Sequence, residues 1–231
     1  ADGSVTVLAG TTNHGQGHAT LFAQYVSDRL GLDGDDITVV ESDTRQVRDG
    51  VGTGGSRSAA FASAAVEDAI AKCVARGRGI AAHLLQLGEA ELDFAQGEYR
   101  AAASGQTIPF REVVRAAFAP EMLPAGMEPG FHEHGRSELG GPAFPNGCHV
   151  CEVEVDPDLG TVDVLSHVLV DDVGFEINPM IVKGQLHGGV MQAAGQILME
   201  DIVFDAEGQI LTGSFMDYAM PRISDYCSIE A

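Results

Sequence analysis

The period of the hydrophobic positions changes along the chain, and the changes mark its elements. Ser4-Val5-Thr6-Val7-Leu8-Ala9-Gly10 alternates apolar and polar residues, which predicts a strand. Leu21, Phe22, Tyr25, Val26 and Leu30 then recur at helical spacing as far as Gly31, a residue suited to the left-handed position that ends a helix. Ile37-Thr38-Val39-Val40 predicts a second strand, and the polar stretch from Ser42 to Gly55 predicts a loop. Over residues 57–87 an alanine-rich run carries Phe61, Val66, Ile70, Val74, Ile80, Leu84 and Leu85. It reads as one helix, or as two joined near Gly77-Arg78-Gly79.

Residues 91–94 and 98–101 are predicted to pair as a hairpin around Gln96-Gly97, with a short helix over 110–118. Residues 119–147 hold most of the prolines and several glycines, which predicts an irregular connector. The runs 149–156 and 161–171 bracket Pro157-Asp158-Leu159-Gly160 and predict a second hairpin. Asn178-Pro179 opens a helix predicted over 182–199, and 202–205 with 209–211 predict a last hairpin around Glu207-Gly208. The expected fold class is α+β, with mixed βαβ-like pieces and antiparallel hairpins. Its parts are a first subdomain over 1–118, the connector over 119–147 and a second subdomain over 148–231.

Charge narrows the partners. Among 231 residues, 13 Lys and Arg stand against 34 Asp and Glu, a net charge of −21 that repels nucleic acid and anionic lipid surfaces. A local basic pocket is compatible with that total. No apolar run approaches the roughly 20 residues that span a bilayer, and Ala1-Asp2-Gly3-Ser4 lacks the basic start of a signal peptide. The expectation is a soluble, cytoplasmic chain. Four cysteines are too few and too scattered for a disulfide framework. Cys148 and Cys151 match C-x-x-C, but in a strand positions three apart face opposite sides, so two strand cysteines are expected, with a redox or zinc pair as the alternative.

Three places combine glycine, side-chain amides and a helix start, where free N–H groups meet the positive end of the helix dipole. In His14-Gly15-Gln16-Gly17-His18 the glycines admit a ligand close to the backbone, and the amide and imidazoles supply donors and acceptors. An anion or pterin cradle, a glycine turn with capping histidines, and zinc binding by His14 and His18 are the competing readings. Zinc lacks a third ligand, and the glycines interrupt the helix that would hold the pair. In Gly50-Val51-Gly52-Thr53-Gly54-Gly55-Ser56-Arg57-Ser58 a formal G-x-G-x-x-G does not follow its strand directly, so NAD is not favoured. What remains is a glycine loop feeding a helix whose first residues suit a phosphate or pyrophosphate, or else a plain surface loop. In the third place Gln185, Gly188, Gly189 and Gln192 fall on one helix face, suited either to a large polar ligand or to close helix packing.

Taken together, five motifs resemble one family, in order and over nearly the whole chain. They are His14 to His18, Gly55 to Ser58, Asp171-Asp172-Val173-Gly174 through Ile177-Asn178-Pro179, Gly184 to Gly189 with Gln192, and Met216-Asp217-Tyr218. They look like the C-terminal part of the molybdopterin-binding large subunit of the molybdenum hydroxylases, the xanthine dehydrogenase and aldehyde oxidase family. The spacing is most similar to the carbon monoxide dehydrogenase-type bacterial branch.

The resemblance implies a molybdenum cofactor, in bacterial members usually molybdopterin cytosine dinucleotide. It implies that His14, Gly15, Gln16, Gly17 and His18 meet the pterin–phosphate region, that Gly55, Ser56, Arg57 and Ser58 hold the dinucleotide, and that Gln185, Gly188, Gly189 and Gln192 are further contacts. Hydroxylation of an aldehyde, an N-heterocycle or CO with oxygen from water is the implied chemistry, with electrons leaving through 2Fe–2S clusters and FAD on partner chains. The family's catalytic glutamate lies downstream of the region matching Met216-Asp217-Tyr218, and the sequence ends at Glu230-Ala231 before it. Glu230 lacks the glycine context of that base, so no catalytic residue and no metal ligand is nominated. The family's N-terminal half is also missing from the match, so the chain is expected to be inactive alone, as a fragment or as one piece of a split subunit. The readings outside this family are a non-catalytic interaction subunit of the same fold and a generic nucleotide-binding protein using the Gly50 to Gly55 loop.

Overall fold

A computed structural model describes residues 2–137, 141 and 144–231, and the chain divides into two compact units, Ala1–Ala143 and Phe144–Ala231. In the first unit β1 (Val5–Leu8) and β2 (Ile37–Val40) pair in parallel, Val5 against Ile37 through Leu8 against Val40. Helix α1 (His18–Leu30) connects them as the sequence pattern predicts, completing a βαβ unit. It buries Leu21, Phe22, Val26 and Leu30 and stops at Gly31, whose left-handed backbone lets its N–H reach the Ser27 carbonyl at 2.8 Å.

Helix α2 (Ser58–Leu85) runs unbroken for 28 residues, which decides between one helix and two. Gly77 makes a dent rather than a break. A Cβ there would collide with the Tyr99 hydroxyl, which instead donates to the Val74 carbonyl at 2.8 Å. Tyr99 lies in a small sheet of β3 (Leu92–Ala95), β4 (Glu98–Ala101) and β5 (Thr107–Pro109), followed by α3 (Phe110–Ala116). The β3–β4 turn falls at Gln96 and Gly97, both at positive φ, as a two-residue hairpin requires. Strand β5 went unpredicted because three residues ending in proline carry no readable period. The rings of Phe94, Tyr99, Phe110 and Phe131 meet in tilted and edge-to-face contacts, and Ile80, Leu92 and Val113 complete a buried core around them.

The stretch predicted as a connector is in part a strap on this core. Leu123 is buried, and Met127 and Phe131 pack against the cluster. Arg76 donates to the Gly130 carbonyl at 3.0 Å and to that of Glu128 at 2.6 Å, Lys72 to that of His134 at 2.8 Å, and Asp68 accepts from the Arg136 N–H at 2.9 Å. Side chains of α2 thus pair the backbone groups that an irregular segment leaves open. The first unit extends to residue 143 and so includes this strap. The part of the predicted connector at 138–140 and 142–143 is outside the described residues.

The second unit is built on β6 (Asn146–Asp156) and β7 (Thr161–Asp172), an antiparallel pair with a bulge between Glu152 and Val153. A short β8 (Ile229–Glu230) adds to β7 in parallel, unpredicted because two residues show no pattern. Helix α4 (Pro179–Leu198) starts as its sequence demands, with Pro179 in the first turn and the Asn178 side chain accepting from the Ile181 N–H at 3.0 Å. The last predicted hairpin is not a pair of strands. A single bridge between Phe204 and Ile210 holds it, since neither run has another strand to extend against. The α+β class holds, as one small parallel sheet, one antiparallel and one mixed, together with helices. Among the described residues no helix is long and apolar enough to cross a membrane.

Candidate functional site

The carboxyl ends of β1 and β2 open onto two loops, the usual location of a ligand crevice on parallel strands. The Gly10 carbonyl accepts from the N–H groups of Val51 and Gly52, both at 3.1 Å. A Cβ on Gly10 would lie 2.6 Å from the Asp49 carbonyl oxygen, so the two backbones touch only because side chains are absent. Thr53 Oγ1 then accepts from the Thr12 N–H and from the Ser58 hydroxyl, each at 3.0 Å. Through Thr12 and Thr53 the His14 to His18 loop and the Gly55 to Ser58 turn become one surface of the first unit. Beside them is a cavity of about 170 Å³ whose lining includes Gly10, Thr12, Asp43, Arg48 and Gly50. A larger open groove of about 690 Å³, lined by Arg29, Glu67, Arg78 and Glu89 among others, shares no residue with either loop.

Within the first loop the polar side chains bond to one another. His18 is buried, and its Nδ1 lies 2.9 Å from Glu41 Oε1, which also accepts from the Thr11 hydroxyl. His18 Nε2 is 3.0 Å from Gln16 Nε2, and that amide nitrogen also donates to the Thr12 carbonyl at 3.2 Å. Gln16 Oε1 accepts from the His14 N–H. With both ring nitrogens engaged, His18 has no lone pair left for zinc, and α1 starts after Gly17 without a side-chain cap, so neither the zinc nor the capping reading is realised among the described residues. Glu41, Thr11 and Thr53 were not singled out from the sequence. The available signal was position, because Glu41 follows β2 directly at its carboxyl end.

The second loop delivers Ser56, at positive φ, and Arg57 to the start of α2. Arg57 is exposed, its guanidinium sits 5.9 Å from the Phe61 ring centroid, and among the described residues it makes no ion pair. Over residues 42–58 three arginines, Arg45, Arg48 and Arg57, face two aspartates, Asp43 and Asp49, so this stretch is basic in an acidic chain. Asp43 is occupied within its own turn, where hydrogen bonds from the Gln46 side chain and the Arg45 N–H hold its carboxyl below the usual range.

In the second unit Gln185, Gly188, Gly189 and Gln192 are all exposed on α4, and a Cβ on either glycine would meet nothing within 4 Å. The close-packing reading of these glycines is therefore not realised within the unit. Tyr218 donates to Glu200 at 3.0 Å, and Ser214 to Asp217 at 2.7 Å. A separate polar cluster links Asp171, His149, His167 and Tyr226 across β6 and β7, and burial with the nearby Cys151 pushes the Tyr226 phenol up to about 12. Cys148 pairs with Val170 and Cys151 with His167 in the strand register, and all four cysteines are free thiols.

Residues 1–227 match the family described as the molybdopterin cofactor-binding domain. The chain belongs to this family. It is 36% identical over 220 residues to the carbon monoxide dehydrogenase large chain of Hydrogenophaga pseudoflava, covering 95% of this chain and 27% of that protein. It is 35% identical over 223 residues to the nicotine 6-hydroxylase large subunit of Paenarthrobacter nicotinovorans, covering 96% and 27%. The solved reconstituted CO dehydrogenase from Oligotropha carboxidovorans superposes with a TM-score of 0.88 at 32% identity, over 96% of this chain and 28% of that one. The chain thus spans little more than a quarter of the length of these relatives.

The donor set suits a phosphate-bearing group. Such a group needs approachable backbone N–H groups and a forked cation, and the glycine loop with the exposed Ser56 and Arg57 offers both, while Ser58 is buried and its hydroxyl is spent on Thr53.

Proposed function

We propose that this chain holds the molybdopterin cytosine dinucleotide of a molybdenum hydroxylase and is inactive by itself. The observation that carries the reading is the joining of the two glycine loops through Thr12, Thr53 and Ser58, which sets Arg57 beside a run of approachable backbone. The loop at His14, Gly15, Gln16, Gly17 and His18 would face the pterin–phosphate part, and Gly55, Ser56, Arg57 and Ser58 the dinucleotide. Gln185, Gly188, Gly189 and Gln192 would offer α4 as a further contact. When bound, the cofactor supplies the two-electron oxidation and oxygen transfer by which an aldehyde, an N-heterocycle or CO is oxidised with water. The residues of this chain bind and orient it. In this reading the remaining portion of the large subunit brings the glutamate base, and iron–sulfur and FAD subunits take the electrons. Four free thiols suit a reducing cytoplasm.

The test is elemental molybdenum together with cytidine nucleotide released by acid, measured on the full-length polypeptide purified with its partners from a host that makes the cofactor. About one of each per chain supports the proposal. A folded complex with neither supports the non-catalytic subunit instead, and nucleotide without molybdenum supports the generic nucleotide-binding reading.

A further inference from the structure

We propose that Glu41 is a positioning residue for the glycine loop, acting through the His18 ring to fix the Gln16 carboxamide. This rests on the cofactor reading of that loop and assigns roles within it. The Gln16 amide can be oriented in one way only. Its oxygen meets the His14 N–H and its nitrogen meets the Thr12 carbonyl, so exchanging them would set donor against donor and acceptor against acceptor. The amide nitrogen therefore donates to His18 Nε2 at 3.0 Å, and that ring nitrogen must be unprotonated. The ring proton is then on Nδ1, 2.9 Å from the Glu41 carboxylate, and both side chains of the pair are more than nine-tenths buried.

Two consequences follow. Glu41 selects the tautomer of His18, and the tautomer in turn decides that Gln16 can brace Thr12 and His14. Both N–H bonds of the Gln16 amide are spent inside the loop, so Gln16 and His18 shape the site while the loop backbone meets the ligand. Glu41→Ala leaves the Nδ1–H buried without an acceptor, and Glu41→Gln keeps an acceptor oxygen in place.

Hydrogen exchange on the full-length protein, with and without cofactor, tests this alongside the rate of cofactor loss. For Glu41→Ala we expect exchange of the peptide over 12–18 to rise about tenfold without cofactor, the size of one unpaired buried donor, while 21–30 in α1 is unchanged. Glu41→Gln should fall between Glu41→Ala and the parent. Gln16→Ala should loosen the same peptide, and adding Glu41→Ala to it should do no more, as for residues acting in series. Loss of cofactor should quicken in the same order. An unchanged 12–18 peptide in Glu41→Ala, equal loosening through 21–30, or multiplicative effects in the double variant would each overturn the proposal. If the parent protein holds no cofactor the functional reading fails, and exchange in the apo protein still judges the role of Glu41.

Discussion

At the scale of single residues, environment sets Arg57 and Cys73 apart. Arg57 is exposed and, among the described residues, pairs with no carboxylate, so its guanidinium is available to a phosphate as a two-pronged donor. Arg57→Ala in the assembled enzyme is expected to lower nucleotide retention about tenfold, and Arg57→Lys less, because the charge stays but the fork is lost. Nucleotide per chain after gel filtration measures both. Cys73 is pushed up to about 11, chiefly by burial and then by Glu133, so the fold favours its neutral thiol. That contribution to stability is intact below pH 9, the ordinary value for the group, and is lost as pH rises toward 11. With iodoacetamide at neutral pH, mass spectrometry should find the exposed Cys148 and Cys151 modified well before Cys73. Equal rates would refute this.

At the scale of elements, two helices invert or obey the ordinary rules. Gly→Ala inside a helix usually stabilises by up to about 1 kcal/mol. At Gly77 the sign should reverse, because the new methyl meets the Tyr99 ring system and crowding in a packed core costs about 1–3 kcal/mol. Gly77→Ala should lower the Tm, and combining it with Tyr99→Phe should cost less than the two changes summed, since the hydroxyl is the nearest obstacle. For α4, Asn178→Ala removes the acceptor from the Ile181 N–H and should cost about 1 kcal/mol, read by chemical denaturation.

At the scale of the whole molecule the two units differ in how much they bury. The continuous core of Tyr99, Phe110, Ile80, Leu92 and Val113 belongs to the first, whereas Leu169, Val190 and Ala194 are the buried hydrophobic residues of the second. The second also leaves Val150, Val170, Phe175, Phe215, Met216 and Ile223 exposed, large apolar side chains that further polypeptide would stabilise by covering. In the 231-residue chain alone, amides of α2 and α3 are expected to exchange slowly and those of β6 and β7 quickly. Restoring the longer polypeptide should slow the second group selectively. Uniform protection across both units in the short chain would contradict this.

Local pattern was enough for the βαβ unit, the Gln96-Gly97 turn, the Asn178-Pro179 helix start and the order of the glycine motifs, because each depends on neighbours a few residues apart. The continuity of α2 through Gly77, the strap over 119–137 and the pairing of β5 and β8 are decided by residues distant in sequence, whose partners no periodicity reveals. The same division runs through the candidate site. The sequence alone places His14 to His18 and Gly55 to Ser58 at helix starts. Tertiary structure alone ties them together through Thr53 and sets Glu41, 23 residues from His18, against its ring, because a buried imidazole must find its acceptor wherever the fold provides one.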